Sequence, residues 1–146
     1  MLSGEDCPMC ADAHLPANLH GELIAELPGS YVRLCYNQTQ PGYCAVVAKR
    51  HVPELFDLST DELALFWTDV AAIAQVVHQL FRPVKIDYLV MGHLCPHVHC
   101  HVYPQYEHDD PHGLLNPKNG DVRLSASEFR QRLNDVRQRI ARSART

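Results

Sequence analysis

Three histidines at alternate positions stand in the stretch "PHVHCHVYP", residues 96 to 104, separated by valine and cysteine. Successive side chains of a β-strand point to opposite faces. The spacing therefore predicts a strand over residues 97 to 103, with His97, His99 and His101 on one side and Val98, Cys100 and Val102 in a core. Residues two apart lie roughly 6.6 Å from each other along a strand, so the outer histidines are about 13 Å apart. Zinc–nitrogen bonds are only about 2.0 Å long, and one ion does not readily gather all three rings. An extended ligand suits the row better. Imidazoles titrate near neutral pH, attack phosphorus as neutral nucleophiles and donate hydrogen bonds to phosphate oxygens. A polyphosphate chain fits that chemistry. The competing reading of the same residues is a cupin-like metalloenzyme with its ion on His99 and His101.

A second constellation is Cys7-Pro-Met-Cys10. This C-x-x-C spacing suits zinc and also dithiol redox work. A thioredoxin-like motif wants a strand before it and a helix after it. Here the pair precedes the first expected strand and is followed by the loop-like "ADAHLPANLHG", which favours metal. His14 and His20 are the histidines nearest to it in sequence.

The elements that must carry these residues are legible in outline. Residues 22–27, 31–36 and 43–49 read as short strands separated by the turn formers of "PGS" and "NQTQPG", giving an antiparallel meander. Ser59 and Glu62 form a capping box that opens a helix with an apolar stripe, ending near Pro83. Residues 86–91 read as a strand joined to the histidine strand by a short turn at Gly92. A second capping box, Ser125 with Glu128, opens a helix with Phe129, Leu133, Val136 and Ile140 on one face. Residues 105–120 form a long loop. Strands and helices do not alternate, so the fold class is α+β, an antiparallel sheet of about five strands with two main helices in a single domain over 1–146.

Composition narrows the setting. A chain of 146 residues with 46% apolar and 21% charged residues reads as one soluble domain. No apolar run approaches the ~20 residues of a membrane span. Glu5, Asp6, Glu22 and Glu26 leave no secretory signal in the first thirty residues, so the expected setting is cytoplasmic and the six cysteines are read as reduced or metal-bound. Arg123, Arg130, Arg132, Arg137, Arg139, Arg142 and Arg145 crowd the C-terminal segment. They are read as a solvated helix face, not a nucleic-acid surface, with an anionic partner as the other reading.

With these residues in view, the chain resembles the histidine triad (HIT) superfamily of nucleotide-binding hydrolases and transferases. "HVHCHVY" fits its His-φ-His-φ-His-φ-φ signature, and the likeness extends through "CPMC", "PGYCAVVAKRHV", "LSTDELALFW" and "MGHLCPHVHCHVYPQY". The arrangement looks most like the bacterial branch related to diadenosine polyphosphate hydrolases. The resemblance implies a HIT-like fold and a catalytic set of His99, His101 and His97. His99 would attack the α-phosphorus to give a nucleotidyl-histidine that water resolves, and His101 would contact phosphate oxygens. Histidine at the third position favours hydrolysis, because the transferase branch has glutamine there. A main-chain carbonyl accepting from the other ring nitrogen of His99 would fix its reactive tautomer.

The resemblance also implies a homodimer and a structural zinc on Cys7, Cys10, His51 and His97, a closed shell that leaves catalysis independent of metal. Tyr43 stands where many members have histidine, Asp87 and His93 where the branch has asparagine, and Gln105 where arginine is common. Tyr43, Asp87 and His93 are the candidate substrate-binding positions. A zinc-stabilised nucleotide-binding module with little turnover is the alternative.

Overall fold

The computed structural model describes residues 3–143; Arg145 lies outside that range. Its elements are α1 (Pro8–Asp12), β1 (Gly21–Glu26), β2 (Ser30–Cys35), β3 (Cys44–Ala48), α2 (Thr60–Phe81), β4 (Lys85–Val90), β5 (His99–Gln105) and α3 (Ala126–Ser143), with a 3₁₀ turn at Leu55–Asp57. The five strands form one sheet in the order β1-β2-β3-β5-β4, and every pairing is antiparallel. The expected α+β class and meander are thus present.

One face of the sheet is closed by the two long helices. Val32, Leu34, Cys44, Val46, Cys100 and Val102 pack against Phe66, Val70, Ile73 and Val77 of α2 and against Phe129, Leu133, Val136 and Ile140 of α3 in one buried cluster. The helix boundaries follow their caps. Ser59 Oγ accepts from Glu62 N while Glu62 returns a bond to Ser59 N, and the helix stops at Arg82, which takes left-handed φ of 52° before Pro83. Glu128 N donates to Ser125 Oγ at the start of α3.

Helix α2 corrects one sequence expectation. Its 22 residues include an 18-residue window with a mean hydropathy of 1.3, long and apolar enough to cross a membrane by length and composition alone. Its apolar stripe is instead part of the core just described, and its one buried acid has a local job. Asp69 Oδ2 accepts from Gly29 N and Ser30 Oγ, both at 2.8 Å, pinning the β1–β2 turn to the helix. Four arginines of α3 are likewise engaged within the chain. Arg130 pairs with Glu22, Arg132 reaches Gln38, Arg137 donates to the Leu23 carbonyl and Arg139 to Gln79. Arg132, Arg137 and Arg139 are half-buried by these contacts, more enclosed than the solvated face expected from the sequence.

Three local expectations change. The cysteine pair is built into the short helix α1, with Cys7 as its N-cap and Cys10 inside it, and the chain becomes irregular only beyond Asp12. The link between β4 and β5 is an eight-residue segment, 91–98, longer than a tight turn at Gly92. Strand β5 begins at His99, so His97 precedes it.

Asp69→Ala strips two buried donors of a charged acceptor, and we expect unfolding free energy to fall by about 3 kcal/mol, read by urea denaturation.

Candidate active site and metal centre

Two main-chain bonds bring the metal-ligand candidates together. Ala48 N donates to the Val98 carbonyl at the end of β3, and Val98 N donates to the Val52 carbonyl, so the segment entering β5 lies against residues 48–52. His97 is thereby set beside His51. The first turn of the chain brings Cys7 and Cys10 to the same place. Cys7 Sγ lies 3.5 Å from His97 Nδ1, and Cys10 Sγ lies 3.4 Å from His51 Nδ1 and 3.5 Å from His97 Nδ1. The two Nδ1 atoms are 3.1 Å apart.

These separations fit the edges of a tetrahedron around a metal. With bonds of about 2.3 Å to sulfur and 2.0–2.1 Å to nitrogen, the S···N edges are about 3.5 Å and the N···N edge about 3.3 Å. The tautomer fits as well. His97 Nε2 is 2.7 Å from the Ala48 carbonyl, which can only accept, so the proton is on Nε2 and the Nδ1 lone pair faces the thiols. Among the described residues, Cys7, Cys10, His51 and His97 are the His, Cys, Asp or Glu group whose ligand atoms all converge, within 4.8 Å of one another. The set can hold a tetrahedral ion. Exposed His14 and His20 are not part of it.

A third thiol borders the cluster and escaped the sequence reading. Cys95 is hydrogen-bonded to Cys7 and takes the Met9 N–H; burial and then the neighbouring thiols push it up to about 11. Cys10 is also raised, by desolvation and by Cys7. A cation relieves the repulsion between thiolates this close. The signal available in the sequence was only that Cys95 stands two residues before His97.

His99 and His101 form the remaining pair of the row. Both point away from the helices, because the intervening Cys100 and their neighbours Val98 and Val102 are in the core. His99 is only 6% exposed, and its Nδ1 lies 2.6 Å from the His97 carbonyl. A carbonyl only accepts, so Nδ1 carries the proton and Nε2 the lone pair. The expected tautomer-fixing bond is present. Burial lowers the His99 pKa, favouring the neutral nucleophilic form. His101 stands 5.0 Å away, ring centre to ring centre, with the planes at 74°. It is flanked by Ala45 on β3 and Leu89 on β4, and its Nδ1 is 2.6 Å from the Tyr43 hydroxyl. Burial, then His99 and Lys118, push His101 down to about 4.

The remaining candidates divide. Tyr43 is buried on this face, edge-on to Tyr103 at 5.2 Å, and with Cys35 makes a small apolar floor. Asp87 is directly opposite Tyr103, so it shares the histidine face, and among the described residues no ion pair joins it to Lys85 or to a histidine. Gln105 sits opposite Lys85 at the end of the strand. His93 lies exposed in the 91–98 segment and is not drawn into the histidine pair by any hydrogen bond among the described residues. His97 is the one triad member whose ring leaves the row. Its carbonyl serves His99 and its ring serves the thiol cluster.

Another residue was missed outright. Arg33 in "YVRLCY" is 4% exposed and donates to the carbonyls of Ala13 and Leu15 from one terminal nitrogen and of Gly21 from the other. It fastens the segment after the cysteine pair onto β2. An arginine within an alternating strand carries no sequence signal for burial.

Residues 17–108 match the HIT domain, and the chain belongs to that family. Over 74 residues it is 34% identical to a bis(5'-nucleosyl)-tetraphosphatase [asymmetrical] of Schizosaccharomyces pombe, covering 47% of this chain and 41% of the relative. It is 31% identical over 74 residues to a bis(5'-adenosyl)-triphosphatase of Dictyostelium discoideum, covering 47% of this chain and 50% of the relative. The chain thus spans at most half the length of the curated relatives it matches. A Zn-bound histidine triad family protein from Mycobacterium smegmatis has the same fold, with a TM-score of 0.69 at 17% identity over 95% of this chain and 96% of that one.

We expect elemental analysis to find about one ion per chain in the purified protein, and Cys10→Ser to lose it. A chelator should lower the melting temperature of the wild type and leave that of the variant nearly unchanged.

Proposed function

We propose that the protein hydrolyses a nucleoside polyphosphate or a nucleotide phosphoramidate through a nucleotidyl-His99 intermediate. The observation that carries this reading is the 2.6 Å bond from His99 Nδ1 to the His97 carbonyl. It aims the Nε2 lone pair out of the sheet. Attack on the α-phosphorus forms a P–N bond to His99 and breaks the bond from that phosphorus to the leaving group, which departs as the distal phosphate anion or, after taking a proton from solvent water, as the free amine. The ring then carries positive charge, and the Nδ1–H bond to the carbonyl strengthens as it does so. Water subsequently breaks the P–N bond, releasing a nucleoside monophosphate and returning His99 to its neutral form. His101 is close enough to address the phosphoryl oxygens. The two curated relatives act, by their names, on bis-nucleosyl polyphosphates, which supports this substrate class.

The ion at Cys7, Cys10, His51 and His97 is read as structural zinc. All four tetrahedral positions are supplied by the chain, so zinc would anchor the start of β5 and no catalytic step needs it. A cupin-like role for His99 and His101 is disfavoured, because among the described residues neither belongs to a converging group of three or more metal-ligating side chains.

The second reading, a nucleotide-binding module with little turnover, is favoured by Asp87. An ionised carboxylate on the histidine face repels the phosphate chain where an amide would donate to it. The setting we propose is cytoplasmic, without membrane or nucleic-acid partners. We also propose a homodimer. Strand β4 is an edge of the sheet with Tyr88, Val90 and Met91 exposed at 48%, 39% and 48%, an apolar border that a second copy can cover.

His99→Ala should reduce cleavage of dinucleoside polyphosphates and AMP-amidates by about a thousandfold or more, and the wild type quenched during turnover should carry a nucleotidyl mass adduct. Equal, slow cleavage by both proteins would select the binding-module reading. Light scattering should give twice the chain mass for the wild type and a single chain mass for Val90→Lys; one chain mass for the wild type rejects the dimer.

A further inference from the structure

The hydroxyl of Tyr43 sits where it decides which nitrogen of His101 bears the proton. We propose that Tyr43 is a positioning residue: its O–H donates to His101 Nδ1 and fixes His101 as the neutral Nε2–H tautomer, a donor toward a phosphate oxygen of the substrate. The use made of that tautomer rests on the hydrolase reading; the tautomer itself does not.

The direction of the bond follows from the two groups. A phenol O–H is a better donor than a neutral imidazole N–H, and an sp² ring nitrogen is a better acceptor than a phenol oxygen, so the 2.6 Å contact runs from Tyr43 to His101. Tyr43 is 6% exposed, and burial raises its pKa well above the ordinary phenol value, so the hydrogen stays on the oxygen. The groups facing His101 favour its neutral form. They are His99 on its own strand, Lys118 from the following loop and Tyr43 beside β3; the buried thiol of Cys35 on β2 touches Tyr43 instead, and because burial keeps its proton it meets the phenol oxygen as a donor and leaves the phenol hydrogen for His101. Asp87 on β4 also shares the face, a diagonal step from His101, as does Glu26 at the far edge on β1, which pairs with Lys49; neither acid is among the groups that shift His101.

Tyr43 is held rigidly enough to impose this choice. Its N–H donates to the Gln40 carbonyl at 3.0 Å, and its own carbonyl accepts from Cys35 N at 3.2 Å and from Gln38 Nε2 at 3.1 Å. Gly42 just before it has φ of 91° and lies so close to α2 that a Cβ would sit 2.7 Å from a Phe81 ring carbon. The turn therefore has one path, and the ring is delivered to His101.

The result is a pair of adjacent histidines set in opposite tautomers. A carbonyl acceptor puts the His99 proton on Nδ1 and frees Nε2 to attack. A hydroxyl donor puts the His101 proton on Nε2, where it can bond to the phosphate. Each ring is neutral and each has one committed nitrogen.

Ring ¹⁵N spectroscopy of histidine-labelled protein reads the tautomer directly, with His101→Gln identifying the resonance. The wild type should show His101 protonated at Nε2 throughout the range in which an ordinary histidine titrates. In Tyr43→Phe the His101 titration should move upward and the tautomer become mixed, while the His99 signals hold. Turnover should fall roughly tenfold in kcat with a smaller change in KM. Nδ1 protonation of His101 in the wild type, or an identical His101 tautomer and titration in Tyr43→Phe, overturns the proposal. If the wild type turns over no nucleotide, the hydrolase reading fails, and the wild-type spectrum still decides the role of Tyr43.

Discussion

The hydrogen bond from His99 Nδ1 to the carbonyl of His97 is the constraint on which the site depends. In the hydrolysis we propose, the attacking histidine needs one nitrogen stripped of its proton and aimed outward, and a buried carbonyl two residues back gives His99 both. That carbonyl is only as fixed as the residue that carries it. The His97 ring is gripped at one nitrogen by the Ala48 carbonyl and directed at the other toward Cys7, Cys10 and His51. One residue thereby joins a ligand cluster and a reactive face through two different chemical groups, side chain and main chain. A disturbance of the cluster therefore reaches the His99 ring without touching it.

The sheet makes this economical. Antiparallel pairing puts Val47 opposite His99 and Ala45 opposite His101, so the working face next to the two rings is apolar and small. The other face is filled by α2 and α3, whose packing leaves little room for the strand to shift. Burial on one side and low polarity on the other keep both imidazoles neutral.

What the sequence made legible was local. The Ser59–Glu62 box, the four-residue stripe of α3 and the alternation at His99 and His101 are set by contacts within a few residues, and each is found as read. The strand over 97–103 was too long at its start. Periodicity alone extends the row to His97, but that ring answers to Cys7, ninety positions away, and to His51. Likeness to a family supplied the ligand set that spacing left open between His51, His14 and His20. Cys95, Arg33 and Asp69 were missed for a shared reason. Each meets partners far along the chain, and nothing in its immediate neighbours distinguishes it from an ordinary strand, loop or helix residue. The apolar length of α2 misleads in the opposite sense, since hydropathy does not say whether lipid or a sheet will cover a stripe.

The Arg33 clamp has an evolutionary consequence. A guanidinium that speaks only to carbonyl oxygens is blind to the side chains of the strap it holds, so residues 14 to 17 can drift in identity while the path of the backbone is preserved. Asn18 and Gly21 are held by other means: the Asn18 side chain bonds Asp12 and the His20 and Gly21 amides, and a methyl group at Gly21 would collide with the Leu34 oxygen at 2.2 Å. Lysine, a single point of charge, could not span three such oxygens from one stem. Arginine at position 33, asparagine at position 18 and glycine at position 21 are therefore the letters of this strap that descent must keep.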